Sequence, residues 1–374
     1  MISYMFALTQ TSRVDDLADR LFKIVLLCLF MVATVRTRLQ IHSVLIAASM
    51  GMGIHGAIEA AKYVVSGGGH VLQGPGTFGD NNHFGLAILM TVPALVYLYR
   101  FSQSRLVKVG FALAALANLV GVIASHSRGA LIGLVAVGAA AFFKSRNKMV
   151  TLLVLAMVAG VVAAVAPDRW YDRMGTIDDA KEDSSFMGRV MSWKMNLLVA
   201  LDRPLVGGGF SSMEDGSVWS KYVRNFSSLD GLISSPTPVI PLATHSIYLQ
   251  VLGDTGFIGL LLFLALLAIS FRNLYVIGKL TRYREDLHWA RDLALALNFS
   301  LIAYAVSGGA LSMAYFEFYY VLITMAAITR FHVETALGVA GKVKAASGLR
   351  PVHPAFQVGA AAVRSGVANR RFVR

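Results

Sequence analysis

Nine apolar runs, separated for the most part by short polar turns, constrain this chain more than anything else in it. They are Leu21–Val35, Ile41–Val65, Phe84–Tyr99, Leu106–Ala124, Ala130–Phe143, Met149–Ala166, Ile247–Phe271, Leu293–Leu311 and Tyr315–Thr329. Hydrophobic residues make up 56% of the 374 and charged residues only 15%, with a mean hydropathy of +0.61. A water-soluble domain has no use for that much apolar surface, so the bilayer is the expected solvent and an all-α bundle of about nine transmembrane helices the expected fold. Several runs fall short of the usual ~20 residues, which suits helices that tilt little, are re-entrant or lie inside the bundle.

One segment breaks the pattern. Pro167 to Thr244 is long and polar, and it leads directly into ATHSIYLQVLGDTGFIGLLLFL. Pumps and channels keep their working groups within the spans, whereas an extended loop between spans suits chemistry at the membrane surface. The chain divides accordingly into N-terminal transmembrane helices (1–166), a loop with interfacial helices (167–244), C-terminal transmembrane helices (245–330) and a basic tail (331–374).

The formal charge of +13 does not point to nucleic acid, because Lys and Arg collect in short segments between apolar runs, as the positive-inside rule requires. Arg36 and Arg38, then Arg100, Arg105 and Lys108, then Lys144, Arg146 and Lys148 fall on alternate loops. Arg272 to Arg291 and the tail from Arg330 follow the same parity. That side is read as cytoplasmic. Ser66–His83, the SHSRG turn and the long loop then face outward together. The parity also puts the N-terminus outside, so either upstream spans are missing or Leu21–Val35 does not cross. Met1–Arg20 carries Asp15, Asp16 and Asp19 without the basic start of a secretory leader. The tail is expected to rest on anionic lipid, and Cys28 as the sole cysteine excludes disulfides within one chain.

His245 opens the seventh run at the membrane surface. An imidazole there can take a proton from a hydroxyl or donate to a phosphate; it can also simply cap a helix. Ser246, Tyr248 and Gln250 line the turns that follow, and Gly253, Asp254 and Gly256 interrupt the apolar helix, which indicates a close helix contact or a wet cavity. Arg128 sits in SHSRGALIGL between two apolar runs. It either snorkels outward or has an anionic partner: a ligand, or a carboxylate such as Glu317 or Glu59. Glu317, in AYFEFYY, is a functional candidate as an acid near the outer end of the last span.

Phe186, Val190, Trp193, Leu197 and Leu201 recur at helical spacing, so FMGRVMSWKMNLLVALD reads as an interfacial helix. Arg189, Trp193 and Asn196 share one flank, and Lys194 reads as a solvated charge. The Gly207-Gly208-Gly209 turn beyond it offers backbone N–H groups to an anion. Asn82 and His83 close GPGTFGDNNHF and can face the same outer cavity, while Asp80 or Asn81 caps the helix that follows. There is no Asp-x-Asp pair, no His/Cys ligand spacing, no phosphate-binding glycine loop and no nucleophile elbow. A phosphate-bearing donor would therefore be held by arginines, whose planar fork meets phosphate oxygens bidentately.

Three segments in order, SRGALIGL, GRVMSWKMNLLVALDRPLVGGGF and ATHSIYLQVLGDTGFIGLLLFL, resemble the O-antigen ligase and polymerase superfamily of bacterial inner-membrane glycosyltransferases. GTFGDNNHF with PTPVIPLATHSIYLQVLGDTGFIG is similar, more narrowly, to O-glycosylation ligases associated with exosortase A. The resemblance covers about Gly67 to Thr329. It implies a GT-C-like architecture with one long periplasmic loop and transfer of a glycan from undecaprenyl diphosphate to an acceptor protein, lipid or glycan. It implies neither metal nor cofactor. Arg128 and Arg189 would grip the diphosphate, and His245 would activate the acceptor hydroxyl or help bind the phosphates. Asn82, His83, Trp193, Tyr248 and Glu317 are the expected substrate contacts. Members of the superfamily usually carry several more N-terminal spans, after which this chain is expected to start. A polymerase of the same superfamily fits the same features, and a polysaccharide transporter or flippase is the reading from a different class; the latter predicts two related halves and broken mid-membrane helices, neither of which the sequence shows.

Overall fold

A computed structural model describes residues 2–76, 78, 80–165 and 184–338. Its helices are α1 (Ile2–Met5), α2 (Ser12–Thr34), α3 (Arg38–Val65), α4 (Asn81–Phe101), α5 (Arg105–Ala124), α6 (Arg128–Lys144), α7 (Lys148–Val165), α8 (Ser184–Asp202), α9 (Gly216–Val223), α10 (Ile247–Leu280), α11 (His288–Ser307) and α12 (Glu317–Ala336). No strand occurs among the described residues. The chain is an all-α helical membrane protein, and the described part of each of the nine apolar runs lies mostly within a helix. Five segments are long and apolar enough to cross a bilayer: α3, α4, α5, α10 and Glu285–Ala310, which contains α11.

Several helices begin where polar side chains supply the first backbone acceptors. Thr37 and Gln40 form a reciprocal capping box at α3, Asp80 caps α4 and Ser127 caps α6. α4 is the central element. Every residue from Phe84 to Thr91 is buried, so the helix has no lipid-facing side in that stretch and needs none that is polar. It packs against α3, α5, α6 and α11. Buried polar side chains tie these neighbours by their backbones: Asn118 Nδ2 donates from α5 to Gly53 O on α3 at 2.9 Å, and Ser300 Oγ from α11 to Met90 O on α4 at 2.6 Å.

The bundle has two chemically different ends. At one, Arg38 lies 5.3 Å from the Trp289 ring, Phe101 stacks on His288 at 5.3 Å and His332 meets the Arg36 carbonyl. At the other, the starts of α4, α6, α10 and α12 meet the ends of α3, α5 and α11. Over this second end sits a small helical cluster with a core of its own, in which Met195, Leu198 and Val199 of α8 pack on Met213, Val218, Tyr222 and Phe226. The N-terminal segment is fastened to the same cluster, with the Leu8 N–H donating to Gly208 O at 2.8 Å and Arg13 paired to Glu214 at 2.7 Å. Most of the expected basic tail, and residues 167–183 of the expected loop, lie outside the described residues.

Candidate active site

α10 begins with Ser246 as its cap, and the two residues before it are clamped from both sides. Ser192 Oγ of α8 donates to Thr244 O at 3.0 Å, and Asn196 Nδ2 donates to Thr244 Oγ1 at 3.1 Å. The His245 N–H donates to Ser312 Oγ at 2.7 Å. His245 itself is left-handed, at φ +49°, a conformation that costs a side-chain-bearing residue free energy and persists where neighbours over-determine it. The clamp is that over-determination.

The start of α4 is built just as tightly. Asp80 Oδ1 accepts from the Asn82 N–H and from Asn82 Nδ2, both at 2.8 Å, while Oδ2 lies 3.3 Å from His83 Nδ1. Asn81 Nδ2 donates to Ser125 O at 2.6 Å and so fixes this cap to the turn between α5 and α6. His126 in that turn is also left-handed, at φ +52°. Arg128 follows directly at the start of α6, where the next residue, Gly129, packs on Ser307 and Ala310, close along the chain to the Ser312 that holds His245.

Electrostatics bring these pieces together. Burial, then the Arg189 guanidinium, then His83 push the His245 imidazole below its ordinary value, and Asp80 works against them. A charged group exerts such an effect only at short range in a partly dehydrated site. The Ser192 hydroxyl donates to both the Arg189 and the Thr244 carbonyls, at 2.8 and 3.0 Å, which seats Arg189 close to His245, while Asp80, Asn82 and His83 at the start of α4 and Arg128 at the start of α6 lie at the same end of the bundle.

The remaining expected contacts divide. Trp193 is half-buried, and its Nε1 has no hydrogen-bond partner among the described residues. The Tyr248 hydroxyl donates to Ala305 O at 2.7 Å, which pins α10 to the end of α11. Glu317 is not a counter-ion of Arg128. It pairs with Arg20 of α2 at 2.8 Å, and Glu59 pairs with Lys62 and His70.

Two further expectations are corrected. Lys194 is not a solvated charge: it is fully buried, paired with Asp230 and 4.0 Å from the centre of the Phe226 ring. Nor do Gly207, Gly208 and Gly209 offer free N–H groups, since these donate to Arg203 O, Gly253 O and Asp254 O at 2.8–3.0 Å. The reason lies in α10, which breaks at Gly256 (φ +72°). The break leaves the Gly253 and Asp254 carbonyls without helical donors, and the glycine turn supplies them; in exchange the Phe257 N–H donates to Pro204 O at 2.8 Å. Asp254, fully enclosed, is held by the Ser211 N–H at 2.9 Å and by the Tyr315 hydroxyl at 3.0 Å. Two motifs that look independent in the sequence, PLVGGGF and GDTGF, are each other's partners.

Comparison with curated proteins gives no match. Residues 111–264 match a protein-family model described as O-antigen ligase, a span that includes Arg128, Arg189, Trp193, His245 and Tyr248 but not Asn82, His83 or Glu317. From α5 to the first half of α10 the chain is thus similar to the O-antigen ligase family, and the resemblance to the O-antigen ligase superfamily read from its sequence stands.

Proposed function

We propose that this chain transfers a glycan from undecaprenyl diphosphate to an acceptor hydroxyl at the periplasmic face of the bacterial inner membrane, by a metal-independent inverting displacement. The observation that carries this reading is that the Ser192 hydroxyl joins the Arg189 and Thr244 carbonyls and so seats Arg189 close to His245, at the same end of the bundle as Arg128 and His83, within a family match that spans both arginines and His245. In an inverting transfer the acceptor oxygen attacks the anomeric carbon as the lipid diphosphate leaves from the opposite face. Negative charge grows on the leaving oxygen, so cations fixed beside it stabilise the transition state more than the bound donor. Arg128 and Arg189 fill that role. His245, whose charged form is disfavoured by burial and by Arg189, either takes the hydroxyl proton or donates to the phosphates. Trp193, Asn82 and His83 line the approach, and the acceptor hydroxyl belongs to a protein, a lipid or another glycan.

The test is complementation in a host deleted for its own copy, reading surface glycan on a gel. The unmutated chain restores glycan attachment and His245→Ala, inserted to the same level, does not. Restoration by both would reduce His245 to a helix cap and end this assignment. Glycan chains that are attached but shortened would favour a polymerase of the same superfamily.

A further inference from the structure

The two histidines of this site have opposite neighbours. Beside His245 stands Arg189, a permanent cation, whose carbonyl and that of Thr244 both accept from the Ser192 hydroxyl, and it is the largest charge acting on the imidazole. His83 instead has the Asp80 carboxylate 3.3 Å from its Nδ1. Asp80 cannot swing away, because its other oxygen is committed to the Asn82 backbone and side chain. With Nδ1 facing the carboxylate, His83 presents Nε2, which is buried and has no hydrogen-bond partner among the described residues.

A general base finishes its step as a cation. An adjacent carboxylate favours that product and an adjacent guanidinium opposes it. A group that donates to a leaving phosphate, by contrast, gains from lying beside an arginine that holds the same anion. A base also needs a third group to fix its ring and tautomer; His83 has one in Asp80, whereas the contact that holds His245 goes through its backbone N–H to Ser312.

Building on the glycan-transfer reading above, we propose that His83, oriented by Asp80, is the general base of the reaction, and that His245 serves with Arg189 on the leaving diphosphate. His83 Nε2 accepts the proton of the acceptor hydroxyl as that oxygen bonds to the anomeric carbon. The bond from this carbon to the diphosphate oxygen breaks with its electron pair, and undecaprenyl diphosphate leaves as the anion. The proton on His83 passes to water after the glycoside departs. Asp80 is a positioning residue, since it touches neither substrate.

The experiment uses the full chain in lipid nanodiscs, with radiolabelled undecaprenyl diphosphate-linked glycan extracted from the deleted host as donor. Ethanol and the more acidic trifluoroethanol are the acceptor probes. A base matters less as the hydroxyl becomes more acidic, whereas stabilisation of the leaving group does not depend on the acceptor in that way. His83→Ala should lose roughly 10²–10⁴-fold of transfer to ethanol, far less to trifluoroethanol, and recover with added imidazole. His83→Gln, which keeps the polar volume, should show the same acceptor dependence. His245→Ala should lose equally with both alcohols. Asp80→Asn, which keeps an oxygen to cap α4, should lower kcat at unchanged KM and move the acid limb of the pH–rate profile to lower pH. An acceptor-dependent, imidazole-rescued loss in His245→Ala and not in His83→Ala would overturn the assignment while leaving glycan transfer intact. An unmutated chain that consumes donor with neither alcohol, and also fails complementation, would remove the transfer reading and this inference with it.

Discussion

The Ser312 hydroxyl accepts the backbone N–H of His245 at 2.7 Å, and His245 holds a left-handed backbone at that point. One side chain, 67 residues away in sequence, thereby aims the imidazole without touching its ring. Ser312→Ala removes the acceptor and frees His245 to relax. A hydrogen bond of this kind contributes about 0.5–1.5 kcal/mol, so transfer should fall by up to about tenfold with membrane insertion unchanged. Initial rates and immunoblots of the same membranes measure both.

Arg128→Ala and Arg189→Ala are each expected to lower transfer by about 10²–10³, the loss seen when one fixed donor to a developing anion is removed. Lysine at either position should restore only part of the rate, because a point charge does not reproduce the bidentate fork. If both alanine variants transferred glycan at the unmutated rate in membranes, the diphosphate assignment would be wrong.

Acid should loosen the site in a way traceable to His245. Its imidazole titrates below the ordinary value because burial and then Arg189 disfavour the charged form. The unfolded chain therefore binds a proton here at a higher pH than the folded chain does, so the associated stability is complete above the unfolded value. It is lost as pH falls from there through the folded value. Thermal melts of His245→Gln should accordingly drop less between pH 7 and pH 5 than those of the unmutated chain. Equal drops would show that this titration carries none of the acid sensitivity.

The Lys194–Asp230 pair should respond asymmetrically. Lys194 is fully buried while the Asp230 side chain is 52% exposed. Asp230→Ala strands a buried ammonium over the Phe226 ring and should cost about 3–5 kcal/mol. Lys194→Met leaves a carboxylate that water can reach and should cost much less. Limited proteolysis of the helical cluster around α8 and α9 would rank the two variants, and the reverse order would refute the burial argument.

The bundle is legible in the sequence because lipid leaves the backbone few choices: the described part of every apolar run lies mostly within a helix. Its limits are less legible, since hydropathy stops where charge starts and hydrogen bonding does not. α2 begins at Ser12 rather than near Leu21, fixed by the Thr11 cap, and α10 continues past Phe271 to Leu280. His245, Arg189 and His83 could be picked out because ionisable residues stand out against apolar or turn-forming neighbours. What local pattern could not supply was pairing between distant segments. Glu317 meets Arg20, nearly the whole described chain away, and Lys194 vanishes into a core whose other half lies beyond a turn. The acid beside His83 was visible as a helix cap; only the geometry of its second oxygen gives it another task.

The break in α10 at Gly256 has a mechanical consequence. The two halves of this helix do not continue each other's hydrogen-bond ladder across the break; the upper half is welded to the Pro204–Gly209 turn instead. Both sides of the break are fastened to one turn: the Gly253 and Asp254 carbonyls on one side and the Phe257 N–H on the other. A side chain at Gly256 would meet the Pro204 carbonyl at 2.5 Å, so only glycine lets the helix rest on that turn. The turn thus serves as a splice: it carries the hydrogen bonds that the helix gives up where it bends, and through it the segment bearing His245 is joined to the cluster built around α8.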